Sequence, residues 1–145
     1  MVSSFGAESV ALLHLVAMVD NRTPVLFIDT RMLFAETLVY QAEVAERLGL
    51  RDVRILQTPQ DLLAEKDPYG ALKFSDPDAC CTLRKTVPLE RALQGFDGWI
   101  TGRKRFQGGA RKGIDLFEWD EAFRHLKVNP LAGWKAADLG AYMDE

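Results

Sequence analysis

The feature that most constrains the fold is an alternation of short apolar runs and helix-like stretches along the first 56 residues. Val25 to Ile28 is wholly apolar, as is typical of a parallel strand covered on both faces. Ser9 to Val19 and Glu36 to Leu48 carry apolar residues at helical spacing, Val53 to Leu56 is a further strand, and Met1 to Ser4 is a strand stub. Because parallel neighbours need helical crossovers, this order predicts an α/β fold. Its sheet is doubly wound and mainly parallel, with helices on both faces.

The second half of the chain continues the same class of elements. Asp78 is a candidate N-cap for a helix that carries Cys80 and Cys81, and Pro88 is expected to begin a separate helix that stops at Gly95. The remaining predicted elements are a short helix at Asp61 to Glu65, a strand at Gly98 to Thr101, a hairpin formed by Ile114 to Trp119 and Leu126 to Val128, and a last helix at Lys135 to Met143.

Composition bounds the possible functions. The 145 residues suffice to bury a core, so we expect one domain over residues 1–145. A net charge of −3 argues against a broadly basic nucleic-acid binder. The longest apolar run, Val10 to Val19, is broken by His14 and is far too short for a membrane span. Two adjacent cysteines form no disulfide framework and no secretory signal is visible, so we expect a cytoplasmic protein without membrane or nucleic-acid partners.

A small-residue loop between the strand stub and the first helix is the first candidate site. Its backbone N–H groups, its serine hydroxyls and the positive end of the helix dipole suit a phosphate-like anion. It lacks the Gly-Lys-Ser/Thr of a Walker loop, and an ordinary tight turn is the alternative interpretation. The candidate anion-binding residues are Ser3, Ser4, Phe5, Gly6, Ala7, Glu8 and Ser9.

Two further candidates follow strand ends. Asp29 and Thr30 end the strand at Val25 to Ile28, where ligands of open α/β sheets bind, although a helix N-cap explains them equally well. Between Asp97 and Asp115 the chain carries five basic residues and no acidic one, which suits a polyanionic small molecule. A solvated basic loop or a nucleic-acid patch remain the alternatives. The candidate residues in this basic segment are Gly102, Arg103 and Arg105.

The cysteine pair is the last candidate. Cys80 and Cys81 lie near a predicted helix N-terminus, with Arg84 and Lys85 one turn further on, an electropositive setting that favours the thiolates that metals and iron–sulfur clusters bind. Two buried cysteines that act as small apolar residues are the alternative. A zinc or cluster site needs about four ligands, and the two histidines have no ligand-like spacing to the pair.

Taken together, these motifs resemble the phosphoadenylyl-sulfate and adenylyl-sulfate reductases of assimilatory sulfate reduction, members of the PP-loop, adenine nucleotide alpha hydrolase-like superfamily. Five segments carry the resemblance in the family's order. They are Ser4 to Ser9 for the PP-loop, Phe27 to Thr37 for the second nucleotide segment, Cys80 to Leu89 for the cluster segment, Trp99 to Gln107 for the anion segment, and Lys127 to Leu131 with Trp134 before the late helix.

The resemblance implies a function. Cys80 and Cys81 would be two of four ligands of a four-iron four-sulfur cluster, as in the members that reduce adenosine 5′-phosphosulfate. Members without these cysteine pairs use 3′-phosphoadenosine 5′-phosphosulfate. In the family a cysteine near the C-terminus attacks the sulfate sulfur, AMP leaves, and thioredoxin releases sulfite. Lys85 would support this chemistry, and Arg103 and Arg105 would hold the phosphosulfate. A homo-oligomer is possible.

The departures from the family pattern qualify that expectation. The second cysteine pair and the C-terminal catalytic cysteine are not in these 145 residues, so we expect a domain truncated at both ends that does not complete turnover. Arg31 replaces a usual Gly, which matters if the backbone there needs a positive φ. The alternative functions are a nucleotide-binding module without reductase activity and a PP-loop sulfurtransferase or ATP pyrophosphatase. Against the second, Phe5 to Glu8 replaces the Gly-Gly-x-Asp of ATP users.

Overall fold

The sheet of this computed structural model, which describes residues 1–6 and 8–144, is built from two groups of strands. In the first, β1 (Val25–Ile28) pairs parallel with β2 (Val53–Leu56). In the second, β5 (His125–Val128) lies between β3 (Gly98–Ile100), to which it is parallel, and β4 (Phe117–Asp120), to which it is antiparallel. The C-terminal β4–β5 pair confirms the predicted hairpin.

The N-terminal segment joins the two groups into one sheet. The Val2 N–H donates to the Ile100 carbonyl at 3.0 Å, and the Ser3 N–H donates to the Leu26 carbonyl at 3.0 Å. The Leu26 N–H in turn donates to the Met1 carbonyl at 2.7 Å. The resulting order is β2, β1, the N-terminal segment, β3, β5 and β4; the N-terminal segment runs parallel to β1, and β4 is antiparallel to β5. This order confirms the predicted α/β class and the strand stub.

The helices largely match the predicted ranges. In chain order they are α1 (Ser9–Val19), α2 (Ala35–Arg47), α3 (Gln60–Lys66), α4 (Leu72–Ser75), α5 (Pro77–Cys81), a π-helical turn (Thr82–Thr86), α6 (Val87–Leu93), 3-10 turns at Arg105–Gln107 and Gly109–Arg111, and α7 (Ala136–Met143). Of these, α4 is not among the helices predicted from the sequence. Among the described residues, no helix combines the length and apolar character needed to cross a bilayer.

The side chains of β1 are buried on both faces of the sheet, since successive residues of a strand point to opposite sides. Val25 and Phe27 pack on one face against α1 and α2, in a core that includes Leu12, Leu13 and Val44. Leu26 packs on the other face against Leu89 and Leu93 of α6. The wholly apolar composition of β1 follows from this two-sided burial.

The helix that carries the cysteine pair differs from the prediction in two ways. Its N-cap is Asp76, whose carboxylate accepts from the Ala79 N–H at 3.2 Å, rather than Asp78. Pro88 also does not begin a separate helix, because α5 continues through the π-helical turn into α6. A proline has no N–H to give the Leu83 carbonyl five residues earlier, and that carbonyl accepts from the Thr58 hydroxyl at 2.6 Å instead.

Candidate functional site

A polar cleft of about 440 Å³ lies beside the N-terminal segment, where the chain leaves the sheet toward α1. One wall is the loop before α1, and the other is the basic segment that follows β3. The loop contributes Ser3, Ser4, Gly6 and Glu8, and α1 contributes its first residue, Ser9. The basic segment contributes Gly102, Arg103, Lys104, Gln107 and Arg111. Three cationic side chains against one carboxylate give this polar cleft a positive balance, which suits an anion.

A second, mostly apolar cleft of about 260 Å³ adjoins the first. Phe27, Ile28 and Leu33 form its apolar wall, while Thr30, Thr37 and Lys85 supply polar groups. Val2, Ser3 and Ser4 line both clefts. A molecule with a flat apolar end and an anionic end could therefore occupy both clefts across the shared serines.

The loop before α1 is held in shape by its own serines. The Ser3 hydroxyl accepts from the Phe5 N–H at 3.1 Å, and the Ser4 hydroxyl accepts from the Gly6 N–H at 3.3 Å. Phe5 has a φ of 55°, and its buried ring packs edge-on against Phe27 at 5.5 Å between centroids. Its side chain thus belongs to the core rather than to a cleft. The predicted site residue Ala7 lies outside the described residues.

Asp29 shapes the turn after β1 and lines neither cleft. One of its carboxylate oxygens accepts from the Arg31 N–H at 2.8 Å, and the other accepts from the Gln57 side-chain amide at 2.7 Å. The turn places Arg31 at a φ of 64°, the left-handed region that a glycine adopts without steric cost. The backbone at Arg31 thus has the positive φ under which the replacement of a usual Gly matters. Thr30, in the same turn, lines the apolar cleft.

The basic segment presents some of its cations to the polar cleft and turns others away. Lys104 is 2% exposed, and its ammonium donates to the Gly102 carbonyl at 2.7 Å. Burial lowers the pKa of Lys104, the Glu8 carboxylate partly offsets this, and Arg111 lowers it further. An anion bound in the cleft would place a negative charge near the Lys104 ammonium, which would stabilise the protonated form and raise its pKa again. Arg105 instead donates to the Ile114 carbonyl at 2.7 Å and lines neither cleft.

Asn129 holds the start of the basic segment. Its fully buried side chain donates to the Asp115 carbonyl at 2.9 Å and to the Glu118 carboxylate at 2.7 Å. Its amide oxygen accepts from the Thr101 hydroxyl, which also accepts from the Arg103 N–H at 3.4 Å. Asn129 therefore fixes the chain where it enters the polar cleft. Asn129 belongs to the family-like segment Lys127 to Leu131, and no role is predicted for it from the sequence.

The cysteine pair lines neither of the two clefts. Both thiols are free, with Cys80 buried and Cys81 exposed. Within residues 1–6 and 8–144, no three His, Cys, Asp or Glu side chains are grouped so as to hold a metal ion. The pair alone does not complete the four-ligand set of an iron–sulfur cluster. Lys85, one turn beyond Cys81, reaches the apolar cleft.

The structure thus places most of the predicted site residues around two adjoining clefts. Those at a cleft are Ser3, Ser4, Gly6, Glu8, Ser9, Thr30, Lys85, Gly102 and Arg103. The polar cleft also contains Lys104, Gln107 and Arg111, which were not among the predicted site residues. The run of five basic residues was the available signal for Lys104 and Arg111, but the run alone does not tell which cation faces inward.

Comparison with known proteins identifies similar chains. Residues 1–145 match the model of the phosphoadenosine phosphosulfate reductase domain. An adenosine 5′-phosphosulfate reductase of Chelativorans sp. (strain BNC1) is 44% identical over 98% of this chain and 57% of its own length. A reductase of the same name from Mycolicibacterium smegmatis is 38% identical over 99% of this chain and 61% of its own length. This chain therefore spans little more than half of these relatives.

A solved structure has the same fold. It is the crystal structure of phosphoadenylyl-sulfate (PAPS) reductase from Candida auris in a phosphate complex, with a TM-score of 0.81. The match covers 99% of this chain and 70% of that one, at 24% sequence identity. At that identity the likeness establishes the shared fold alone.

Proposed function

The chain belongs to the phosphoadenosine phosphosulfate reductase domain family, and from that premise we propose that it is the nucleotide-binding part of a sulfonucleotide reductase. The proposed reaction is the thioredoxin-dependent reduction of adenosine 5′-phosphosulfate, or its 3′-phospho form, to sulfite in sulfate assimilation. The single observation that carries the proposal is the pair of clefts joined at Ser3 and Ser4, one cationic and one apolar.

The two clefts match the two ends of such a nucleotide. The phosphosulfate end would lie in the polar cleft, where Arg103, Lys104 and Arg111 supply cationic donors. The adenosine end would lie in the apolar cleft against Phe27 and Leu33. The Cys80-Cys81 pair and the names of the relatives favour adenosine 5′-phosphosulfate over the 3′-phospho form.

In the proposed reaction a cysteine thiolate attacks the sulfate sulfur, and the bond between that sulfur and the AMP oxygen breaks. The products are an S-sulfocysteine and AMP. One thiolate of a dithiol such as thioredoxin then attacks the cysteine sulfur of the S-sulfocysteine, and sulfite leaves. The second thiol breaks the mixed disulfide, which frees the cysteine thiol and leaves the dithiol as a disulfide. Cationic side chains of the polar cleft would stabilise the charge that gathers on the departing phosphate, and Lys85 would supply a further cation from the apolar cleft.

This chain has two cysteines, which the family resemblance assigns to a four-iron four-sulfur cluster. Such a cluster needs ligands beyond Cys80 and Cys81, and the proposed reaction takes no step through it. If Cys80 and Cys81 bind the cluster, neither is free to attack the sulfate sulfur. We therefore propose that the 145-residue chain binds the nucleotide but releases no sulfite with thioredoxin or a dithiol. A sulfite assay with adenosine 5′-phosphosulfate tests this, and robust turnover would disprove it. The cytoplasm, a reducing compartment, is the proposed location.

Calorimetric titration with AMP tests the binding proposal. Arg111→Gln removes a cation that lines the polar cleft, whereas Lys112→Gln removes a neighbouring cation that does not. A charge-assisted hydrogen bond contributes roughly 1.5–3 kcal/mol, so Arg111→Gln should weaken AMP binding by about tenfold or more. Lys112→Gln should stay within about twofold of the unaltered chain. Absence of AMP binding by the folded chain, or equal losses in both variants, would contradict the proposal.

A further inference from the structure

Arg84 lies within the π-helical turn and is 6% exposed. One guanidinium nitrogen donates to the Thr30 carbonyl at 2.7 Å, in the turn that reaches the apolar cleft. Another donates to the buried Asp67 carboxylate at 2.8 Å. Arg84 therefore connects the wall of the apolar cleft with the helix that carries Cys80, Cys81 and Lys85.

Asp67, the residue that forms the ion pair with Arg84, is held in place by a second hydrogen bond. The second oxygen of Asp67 accepts from the Leu72 N–H at 3.0 Å, which ties the carboxylate to the start of α4. The hydrogen bond from Arg84 holds the pKa of Asp67 below its usual range, so the pair is charged at neutral pH. A charged pair held this firmly sets the position of the guanidinium relative to the main chain around it.

The π-helical turn is held from a second side as well. Its Leu83 carbonyl accepts from the buried Thr58 hydroxyl at 2.6 Å, just beyond the end of β2. The cysteine-bearing helix is thus attached near the carboxyl ends of both β1 and β2. The residue next to Arg84, Lys85, extends into the apolar cleft.

From these contacts we infer that Arg84 is a positioning residue for nucleotide binding, which sets the Thr30 turn and the Lys85 helix at the spacing that the apolar cleft needs. The inference rests on the proposed function, because it assumes that the apolar cleft takes the adenosine end. It predicts that loss of Arg84 weakens AMP binding while leaving the polar cleft intact. Neither Thr30 nor Lys85 lines the polar cleft, so inorganic phosphate binding there should be unaffected.

The test must separate positioning from mere stability, because removal of one member of a buried ion pair leaves an uncompensated charge. The double variant Arg84→Met with Asp67→Asn removes both charges and keeps an oxygen for the Leu72 N–H. Arg84→Lys keeps the charge for Asp67 but has a single ammonium in place of the forked guanidinium. Urea denaturation identifies the variants that fold, and amide chemical-shift titrations measure the dissociation constants of AMP and of inorganic phosphate.

We expect the AMP dissociation constant to rise at least tenfold in each folded variant, with that of inorganic phosphate within twofold of the unaltered chain. A folded variant that binds AMP within twofold of the unaltered chain would overturn the inference. So would parallel losses of AMP and phosphate binding, which would indicate a general structural role. If the unaltered chain binds phosphate but not AMP, the proposed function itself fails, and the inference fails with it.

Discussion

Replacement of Arg31 by glycine should stabilise the protein, because this residue has a left-handed backbone. Its φ of 64° is imposed by the turn in which the Asp29 carboxylate accepts the Arg31 N–H. A non-glycine residue in this region costs roughly 1–2 kcal/mol. Glycine removes that cost but gives the unfolded chain extra freedom, which offsets roughly 0.4–1 kcal/mol. The main-chain hydrogen bond to Asp29 is retained in the variant.

The net expectation for Arg31→Gly is a gain of about 0.5–1 kcal/mol in the free energy of unfolding. For a chain of this size, that corresponds to a rise of roughly 1–4 °C in Tm. Urea denaturation followed by tryptophan fluorescence and a thermal melt would measure both quantities. Arg124, with a φ of 54°, offers a second case, and Arg124→Gly should also stabilise.

Arg51→Gly is the matched control, because Arg51 is exposed and is not among the residues with a positive φ. Its free energy of unfolding should decrease by roughly 0.4–1 kcal/mol, because glycine gives the unfolded chain more conformational freedom. If the free energy of unfolding of Arg31→Gly does not exceed that of the unaltered chain, or decreases as it does in Arg51→Gly, the left-handed backbone at Arg31 does not destabilise the protein as argued.

Two further predictions concern the C-terminal half. The His125 ring bonds to the Phe123 carbonyl and to the Leu93 carbonyl, the latter at 2.8 Å, and these two hydrogen bonds, that to Phe123 foremost, raise the pKa of His125 from its ordinary value of 6.5. The stability that the charged ring contributes is present below the pKa of His125 in the unfolded chain and is lost as pH rises through its pKa in the folded chain. The free energy of unfolding should therefore fall as pH rises above about 6.5. His125→Gln should remove this pH dependence. Asn129→Ala should lower the free energy of unfolding by roughly 2 kcal/mol, because the buried Thr101 hydroxyl loses its acceptor and the Asp115 carbonyl and Glu118 carboxylate lose a donor. Asn21→Ala, in a turn, should change it by less than about 0.5 kcal/mol in urea denaturation.

The fold was predictable from sequence because its signals are local and periodic. The apolar run Val25 to Ile28 and the helical spacing on either side of it reflect burial on both faces of one sheet. The helix around Pro88 was mispredicted, because the expectation that proline interrupts a helix considers only hydrogen bonds within that helix. The Thr58 hydroxyl, 25 residues from Leu83 in the chain, supplies the hydrogen bond that Pro88 cannot.

Several residues singled out from the sequence line the two clefts, but the sequence does not show which cations of the basic segment face inward. Loop residues such as Ser3 and Ser4 reach a cleft because strand ends meet at one edge of a parallel sheet. Within the basic segment, neighbouring cations point in different directions, so Lys104 faces the cleft while Arg105 bonds to the Ile114 carbonyl. Packing and main-chain acceptors decide this orientation, and neither is visible in the composition of the run.

A residue-resolved amide titration with AMP tests the central claim most directly. One nucleotide should perturb the loop at Ser4 and Gly6, the basic segment at Gly102 to Lys104 and the turn at Thr30 to Leu33 together, with a single dissociation constant, because it would occupy both clefts. Inorganic phosphate should perturb only the first two segments. Absence of shifts at saturating AMP in the folded protein, or shifts confined to the α1–α7 groove around His14 and Tyr142, would contradict the account.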